Sequence, residues 1–391
     1  MNVPKIRFPK YTNNWNEIKL DRLYSFKNGI NGDRSLYGNG IKLISVSDIL
    51  NNNFITHDVI KGRININEKT LMENSVEYGD VLFQRSSETF LEIGSSNIYL
   101  DNKIVTYGGF VIRGKKLADN YNNPIFINYE LKSPSTRKKI ILGGAGSQHF
   151  NIGQEDLKKV SIFIPELNEQ NDIAEFMSLI DKKIELQSRK IEDLKLFKLS
   201  LREKLFYMFP TDNKKLSEIL IKWNKKNKDN KYSYVESVSN KFGFIAQNEQ
   251  FEDRNVASND TSNYYVIEKG VFAYNPSRLN VGSLALKQND KVSLVSPLYE
   301  CFTTNQIQDF ILEWFQSKEF KRGTFSKYEG GVRNTLNFNN LSSIEIKLPN
   351  LESQSKIVKI LNCYNKMINL ELEKLNKLLE FKKGLMQQLF I

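Results

Sequence analysis

The chain has 391 residues, and its 56 Lys and Arg against 45 Asp and Glu give a net charge of +11 and a pI near 9.2. With 40% hydrophobic residues but no apolar run of eighteen, it has the makings of ordinary cores and no membrane-spanning helix. MNVPKIRFPK lacks the apolar centre of a signal peptide, and two cysteines without motif spacing, Cys301 and Cys363, exclude a disulfide framework or a Cys-based zinc site and fit a reducing cytoplasm.

In chain order, residues 1–164 are mixed in pattern, with strand-like runs such as GDVLFQRS from Gly79 and KIVTYGGFVI from Lys103. The alternation Val160-Ser161-Ile162-Phe163-Ile164 predicts a strand, which Pro165 stops. Close to forty residues with helical periodicity follow, their apolar positions spaced by four and three from Ile173 to Leu205. This is the a/d seam of a coiled coil. The lysine-rich stretch Asn213–Ser233 reads as a solvated helix and linker. A second mixed segment contains GVFAYNP from Gly270. A second alternating run, Ile344–Leu348, meets Pro349, and a second long periodic helix carries the seam from Ile357 to Leu389.

The second half repeats the first. Residues 156–206 overlay 340–390 without a gap, with roughly 16 of 51 positions identical. The shared spelling is I-x-[IL]-P-x-L-x-x-Q-x-x-I, beginning at Ile162 and at Ile346. The loops GSQHFNI (from Gly146) and GGVRNTL (from Gly330) share the offset of 184. YGDVLFQRSS (from Tyr78) and EKGVFAYNPSR (from Glu268) also correspond, and Gly94 and Gly282 follow them. A forty-residue helix spans about 60 Å at 1.5 Å per residue, too long for its stripe to be covered by one small domain. The two stripes are therefore expected to bury each other. Two matched halves favour a pseudo-two-fold, with the helices antiparallel and one globule at each end. The fold class is α+β: two globular domains separated by two long helices that form an antiparallel coiled coil. The expected boundaries are 1–164, 165–212, 213–348 and 349–391.

With these residues in place, the chain resembles the DNA-specificity subunit of type I restriction–modification enzymes over essentially its whole length. The resemblance rests on PKIRFPKYTNNWNEIKLDRL (from Pro4), the two P-x-L-x-x-Q helix starts, the Gly79–Leu82 strand, the two loops before the helices and the Leu-Phe near the end. It implies two target-recognition domains, each reading half of a bipartite DNA site, with helices that fix their separation. It also implies docking to two modification subunits and to restriction subunits. Catalysis would reside in those partners, which would carry S-adenosylmethionine, ATP and Mg. No cofactor is expected in this chain.

The residues agree with an absence of chemistry. Asn275-Pro276-Ser277-Arg278 lacks the second proline and the aromatic of a methyltransferase motif, and there is no P-loop. Glu17-Ile18-Lys19 and Glu345-Ile346-Lys347 have no upstream Pro-Asp to complete a nuclease site. His57 and His149 are too far apart in sequence to suggest a metal site. Basic charge suits double-stranded DNA, although abundant Lys, Asn and Ile also follow from an AT-rich genome. Phosphates call for Lys and Arg, guanine for Arg, and adenine for Asn or Gln. The loops with that chemistry offer Lys27, Asn28, Asn31, Arg34, Arg85, Ser86, Gln148, His149 and Asn151 in the first half. In the second half they offer Lys241, Asn275, Arg278, Asn280, Arg333 and Asn334. Because the two globules differ, the site should be asymmetric. A duplicated coiled-coil scaffold that binds only protein is the competing reading.

Each seam carries two polar intruders, Gln187 and Lys198 in the first and Glu371 and Lys382 in the second. If Lys198 meets Glu371 and Gln187 meets Lys382, paired positions sum to 569, and the polar pairs set the register of the helices.

Overall fold

The computed structural model describes residues 3–144, 146, 150–240, 243–246, 260–325, 327 and 335–391, without the side chains of 280 and 281. The chain divides into two compact units, Met1–Arg189 with Glu373–Ile391, and Lys190–Leu372. No helix among the described residues is long and apolar enough to cross a membrane.

The first unit is built on an antiparallel four-stranded sheet. Its order is Tyr24–Asn28, Val111–Lys116, Val81–Gln84, Ser96–Ile98. The second unit repeats that order with Leu220–Lys222, Glu300–Thr304, Phe272–Tyr274 and Leu284–Leu286. In both, the third strand in this order follows a glycine at φ 89°, Gly79 or Gly270, a left-handed conformation that only glycine adopts without strain. Two short helices pack beside each sheet. They are Pro124–Lys132 and Pro134–Leu142 in the first unit, and Gln308–Phe315 and Lys318–Phe325 in the second.

The halves correspond element by element, but with a drifting offset. Leu20 N–H donates to Val160 C=O and Leu216 N–H to Ile344 C=O, each at 2.9 Å. Leu20 to Leu216 is an offset of 196, Gly79 to Gly270 of 191, Ile98 to Leu286 of 188, and only from Asn123 to Ile307 does it settle at 184. Loops shorten along the second half, so the repeat is gapless only near the helices. The stretch Asn213–Ser233 is not a solvated helix. Thr211–Lys215 is a strand paired with Glu345–Pro349, followed by a 3-10 turn and the strand Leu220–Lys222. Its lysines are exposed, apart from the half-buried Lys226, while Leu216 and Leu220 enter the core.

The two long helices are Leu167–Phe206 and Leu351–Gln388. Every seam position read from the sequence is buried or half-buried. In the first unit Ile173, Met177 and Ile180 share one core with Leu385 and Leu389. In the second, Leu205 and Phe206 share one with Ile357 and Leu361. The helices thus run antiparallel and bury their stripes on each other, as the periodicity requires.

Their mutual register differs from the expectation. Glu371 pairs with Lys190 at 3.0 Å, Lys382 with Asp181 at 2.5 Å, and Phe197 lies 5.3 Å from Tyr364. Paired positions therefore sum to 561–563 rather than 569. Lys198 lies two turns, about 12 Å, beyond Lys190. It instead meets Glu313 of the short helix Gln308–Phe315 at 2.6 Å. Helix-to-helix reasoning could not foresee an acid supplied by the globular part.

The repeated P-x-L-x-x-Q has a structural explanation. Gln170 Nε2 donates to Pro165 C=O at 2.9 Å and to Asn122 Oδ1 at 2.8 Å, while its Oε1 accepts from Asn123 N–H at 2.9 Å. Gln354 does the same with Pro349 C=O, Gln306 Oε1 and Ile307 N–H, at 2.8, 2.9 and 3.2 Å. Each buried amide ties the start of a long helix to the start of a short one. Truncating it orphans a buried C=O and a buried N–H. We expect Gln170→Ala and Gln354→Ala each to lower stability by about 1–3 kcal/mol, read from thermal unfolding of the full chain. The conservative Gln→Glu change cannot donate to the proline C=O and should recover little.

Candidate nucleic-acid interface

The first-unit candidates converge at one edge of the sheet. Asn28 ends the first sheet strand, and Arg85 follows the third. Arg85 C=O accepts from Ile152 N–H at 3.0 Å, which draws the segment Phe150–Asn151 alongside Ser86–Ser87. Ser86 Oγ donates to Asn151 Oδ1 at 2.5 Å. Asn28, Arg85, Asn151, Gln154 and Glu155 line one open cleft of about 400 Å³. Guanidinium and amide groups over such a cleft can read base edges or hold phosphates. Glu155 is the acid there, and it pairs with Lys158 at 2.6 Å.

Other candidates sit around this cleft in different states. Arg85 N–H donates to Phe110 C=O at 2.8 Å and its Nη1 to Gly109 C=O at 3.4 Å. Asn31 is exposed and lies so close to Gly109 that a Cβ there would come within 1.5 Å of its Oδ1. Gly109 is thus a glycine because Asn31 occupies the place of a side chain. Arg34 is exposed on the 3-10 turn Arg34–Leu36. Lys27 is half-buried and donates to Glu73 C=O at 3.0 Å, so it braces the backbone. Asp80, at the base of the strand leading to Arg85, is pushed up to about 6 by burial, opposed by the N–H groups of Lys116 and Glu77.

The second unit holds the corresponding backbone with different chemistry. Pro276 C=O accepts from Leu336 N–H at 3.1 Å, as Arg85 C=O does from Ile152. Proline therefore stands where the first unit has Arg85. Arg278 is exposed on the 3-10 turn Pro276–Val281 that begins there. Asn275 caps that turn, its side-chain oxygen accepting from Ser277 N–H at 3.0 Å, and Gly282 closes it at φ 90°. Asn280 lies on the same turn. Gln148, His149, Lys241, Arg333 and Asn334 lie outside the described residues. Gln154 was missed from the sequence because it opens a short helix, Gln154–Lys159, of ordinary composition.

The domain profile described as "Type I restriction modification DNA specificity domain" matches twice, over residues 13–196 and 210–380. Among solved structures, the chain is similar to the type I restriction–modification S subunit from M. genitalium. The identity is 17%, with 100% of this chain and 99% of that chain covered and a TM-score of 0.54. It is also similar to a chain from a study of complex assembly and conformational transition in the type I R-M system. There the identity is 14%, with 95% and 96% coverage and a TM-score of 0.58. At these identities the structural likeness speaks for the fold, while the two profile matches take in most of the sequence. The chain belongs to the DNA-specificity family of type I restriction–modification systems and carries that family's domain twice.

Proposed function

We propose that this chain reads an asymmetric, bipartite site in double-stranded DNA on behalf of modification and restriction subunits. Residues 1–164 and 213–348 would act as the two target-recognition domains, and 165–212 and 349–391 as the helices that carry them. The observation that supports this best is the pairing of one scaffold with two chemistries. The same sheet order and the same backbone bond recur in both units, yet Arg85 in one is Pro276 in the other. A protein-only scaffold has no need for cleft residues of the Arg/Asn/Gln type.

Three exposed apolar residues recur at the repeat offset on each long helix, Leu167 with Leu351, Leu186 with Leu370 and Phe197 with Phe381, between 46% and 57% exposed. Matched patches of this kind suit two copies of one modification subunit. S-adenosylmethionine, ATP and Mg would sit on the partners, and the chain itself would neither methylate nor cut. The complex would work in the cytoplasm, where the free thiols of Cys301 and Cys363 stay reduced.

Methylation mapping of a host with and without the chain tests the reading. One split, non-palindromic motif should vanish with the chain. Exchanging residues 213–340 for those of a relative should change one half of that motif. Arg85→Ala should weaken binding to the intact site by about 1–3 kcal/mol and relax discrimination only in the other half. Changes in both halves would contradict independent reading.

A further inference from the structure

Each unit places an apolar side chain in open solvent at the same point of the fold. The turn Gly108–Val111 is closed by Val111 N–H to Gly108 C=O at 2.9 Å, and its third residue, Phe110, is 69% exposed. In the second unit the turn Ser296–Tyr299 is closed by Tyr299 N–H to Ser296 C=O at 3.0 Å, and its third residue, Leu298, is 76% exposed. The turns are equivalent, since Val111–Lys116 and Glu300–Thr304 occupy the same place in the two sheets. Their sequences, Gly-Gly-Phe and Ser-Pro-Leu, share only the apolar third position. Turn tips ordinarily carry Gly, Asn, Asp or Ser, which stay solvated. A large apolar group kept there in both copies asks for a ligand.

The first turn is also rigidly mounted. Phe110 C=O is held by Arg85 N–H at 2.8 Å, Gly109 C=O by Arg85 Nη1, and Gly109 is backed by Asn31. Phe110 is thus held through its backbone to Arg85, whose guanidinium bonds the neighbouring Gly109 C=O and which lines the Asn28–Asn151 cleft. The ligand must combine negative charge or hydrogen-bonding edges with one small apolar group. In the major groove the apolar group is the C5-methyl of thymine, and aromatic and aliphatic side chains pack on it. We propose that Phe110 packs on a thymine methyl in one half-site and Leu298 on a thymine methyl in the other, so that each adds specificity. This rests on the DNA-reading function above.

The test uses the full chain with its partner subunits and duplexes of the mapped site in which each thymine in turn is replaced by deoxyuridine, which lacks only the methyl. Wild type should lose about fourfold in affinity, the worth of one buried methyl, at one position in each half. Phe110→Ala should bind thymine and uracil equally at the first of these positions and still distinguish them at the second. Leu298→Ala should do the reverse. Both variants should melt with wild type, because the side chains removed are exposed. If no position responds to the loss of the methyl, or if both variants keep both responses, the proposal is overturned while DNA reading stands. If wild type recognises no split site at all, the underlying function fails first.

Discussion

Glu313→Leu should destabilise the second unit by about 3–5 kcal/mol, the largest effect expected of a single change in this chain. Glu313 is 7% exposed and sits between two cations. Lys198 Nζ donates to its Oε1 at 2.6 Å, and Arg202 Nη1 to its Oε2 at 3.4 Å. Arg202, 3% exposed, is also held by the side chain and the C=O of Gln316, at 3.1 and 2.7 Å. Removing the carboxylate leaves a lysine and an arginine with little water, the arginine retaining only Glu203, 3.8 Å from its Nε. Removing all three charges together is a different matter, because the desolvation cost disappears along with the attraction. The triple change Lys198→Met, Arg202→Met, Glu313→Leu should be close to neutral or stabilising by about 1–4 kcal/mol. Thermal unfolding of the three proteins checks both statements. A single mutant as stable as wild type would show that water already reaches the pair.

The second large effect is a pH dependence. Glu130 is fully buried in the first unit, with Oε1 accepting from Thr136 Oγ1 at 2.9 Å. Burial pushes its carboxyl up to about 7, against the weaker pull of the Thr136 hydroxyl, a backbone N–H and Lys139. A carboxyl with a raised folded pKa stabilises the fold fully below its unfolded value near 4.5. That contribution is lost as pH rises through about 7. Between pH 4 and pH 8 the loss is on the order of 3 kcal/mol. Glu130→Gln, which cannot ionise, should melt close to wild type at pH 4 and increasingly above it up to pH 8. The difference between the two proteins isolates this group from Asp80, which titrates in the same direction near 6. A difference independent of pH would place Glu130 in contact with water. The repeat supports the assignment, because Trp314, another fully buried side chain, occupies the equivalent place in the second unit.

Legibility followed the range of the interactions. The seam from Ile173 to Leu205 could be read because a long helix repeats one environment, and each position reports its own burial through spacing alone. The Pro-x-Leu-x-x-Gln start could be read as a repeat but not explained, since its partners, Asn122 and Asn123 or Gln306 and Ile307, lie nearly fifty residues earlier. The sheet correspondence was only partly visible, because loop lengths drift between the halves. The stretch from Asn213 reads as helix because lysines mask the strand Thr211–Lys215, whose partner, Glu345–Pro349, lies 130 to 138 residues away. Lys198 was assigned to the wrong acid because Glu313 arrives from a different element. Residue chemistry singles out Asn28, Arg85, Ser86 and Asn151 one by one, but only the fold brings Asn28, Arg85 and Asn151 to one cleft and bonds Ser86 to Asn151.

The buried charges also limit how such chains can be recombined. In the first unit the acid sits on the long helix: Asp181 accepts from Tyr129 of a short helix at 2.8 Å and pairs with Lys382. In the second unit the repeat equivalents are Asn365 on the long helix and Glu313 on the short one, while Lys198 stands in for Lys382. The acid has changed sides while the lysine has stayed. A grafted domain with tyrosine where Glu313 stands would bring no carboxylate to Lys198 and Arg202, and Asn365 could not replace it. A domain of the Glu313 type grafted onto the first unit would set two carboxylates, its own and Asp181, around one lysine. Each domain is thus keyed to its own helix pair. Hybrids that shuffle sequence preference freely should be those that exchange the key and its lock as one block.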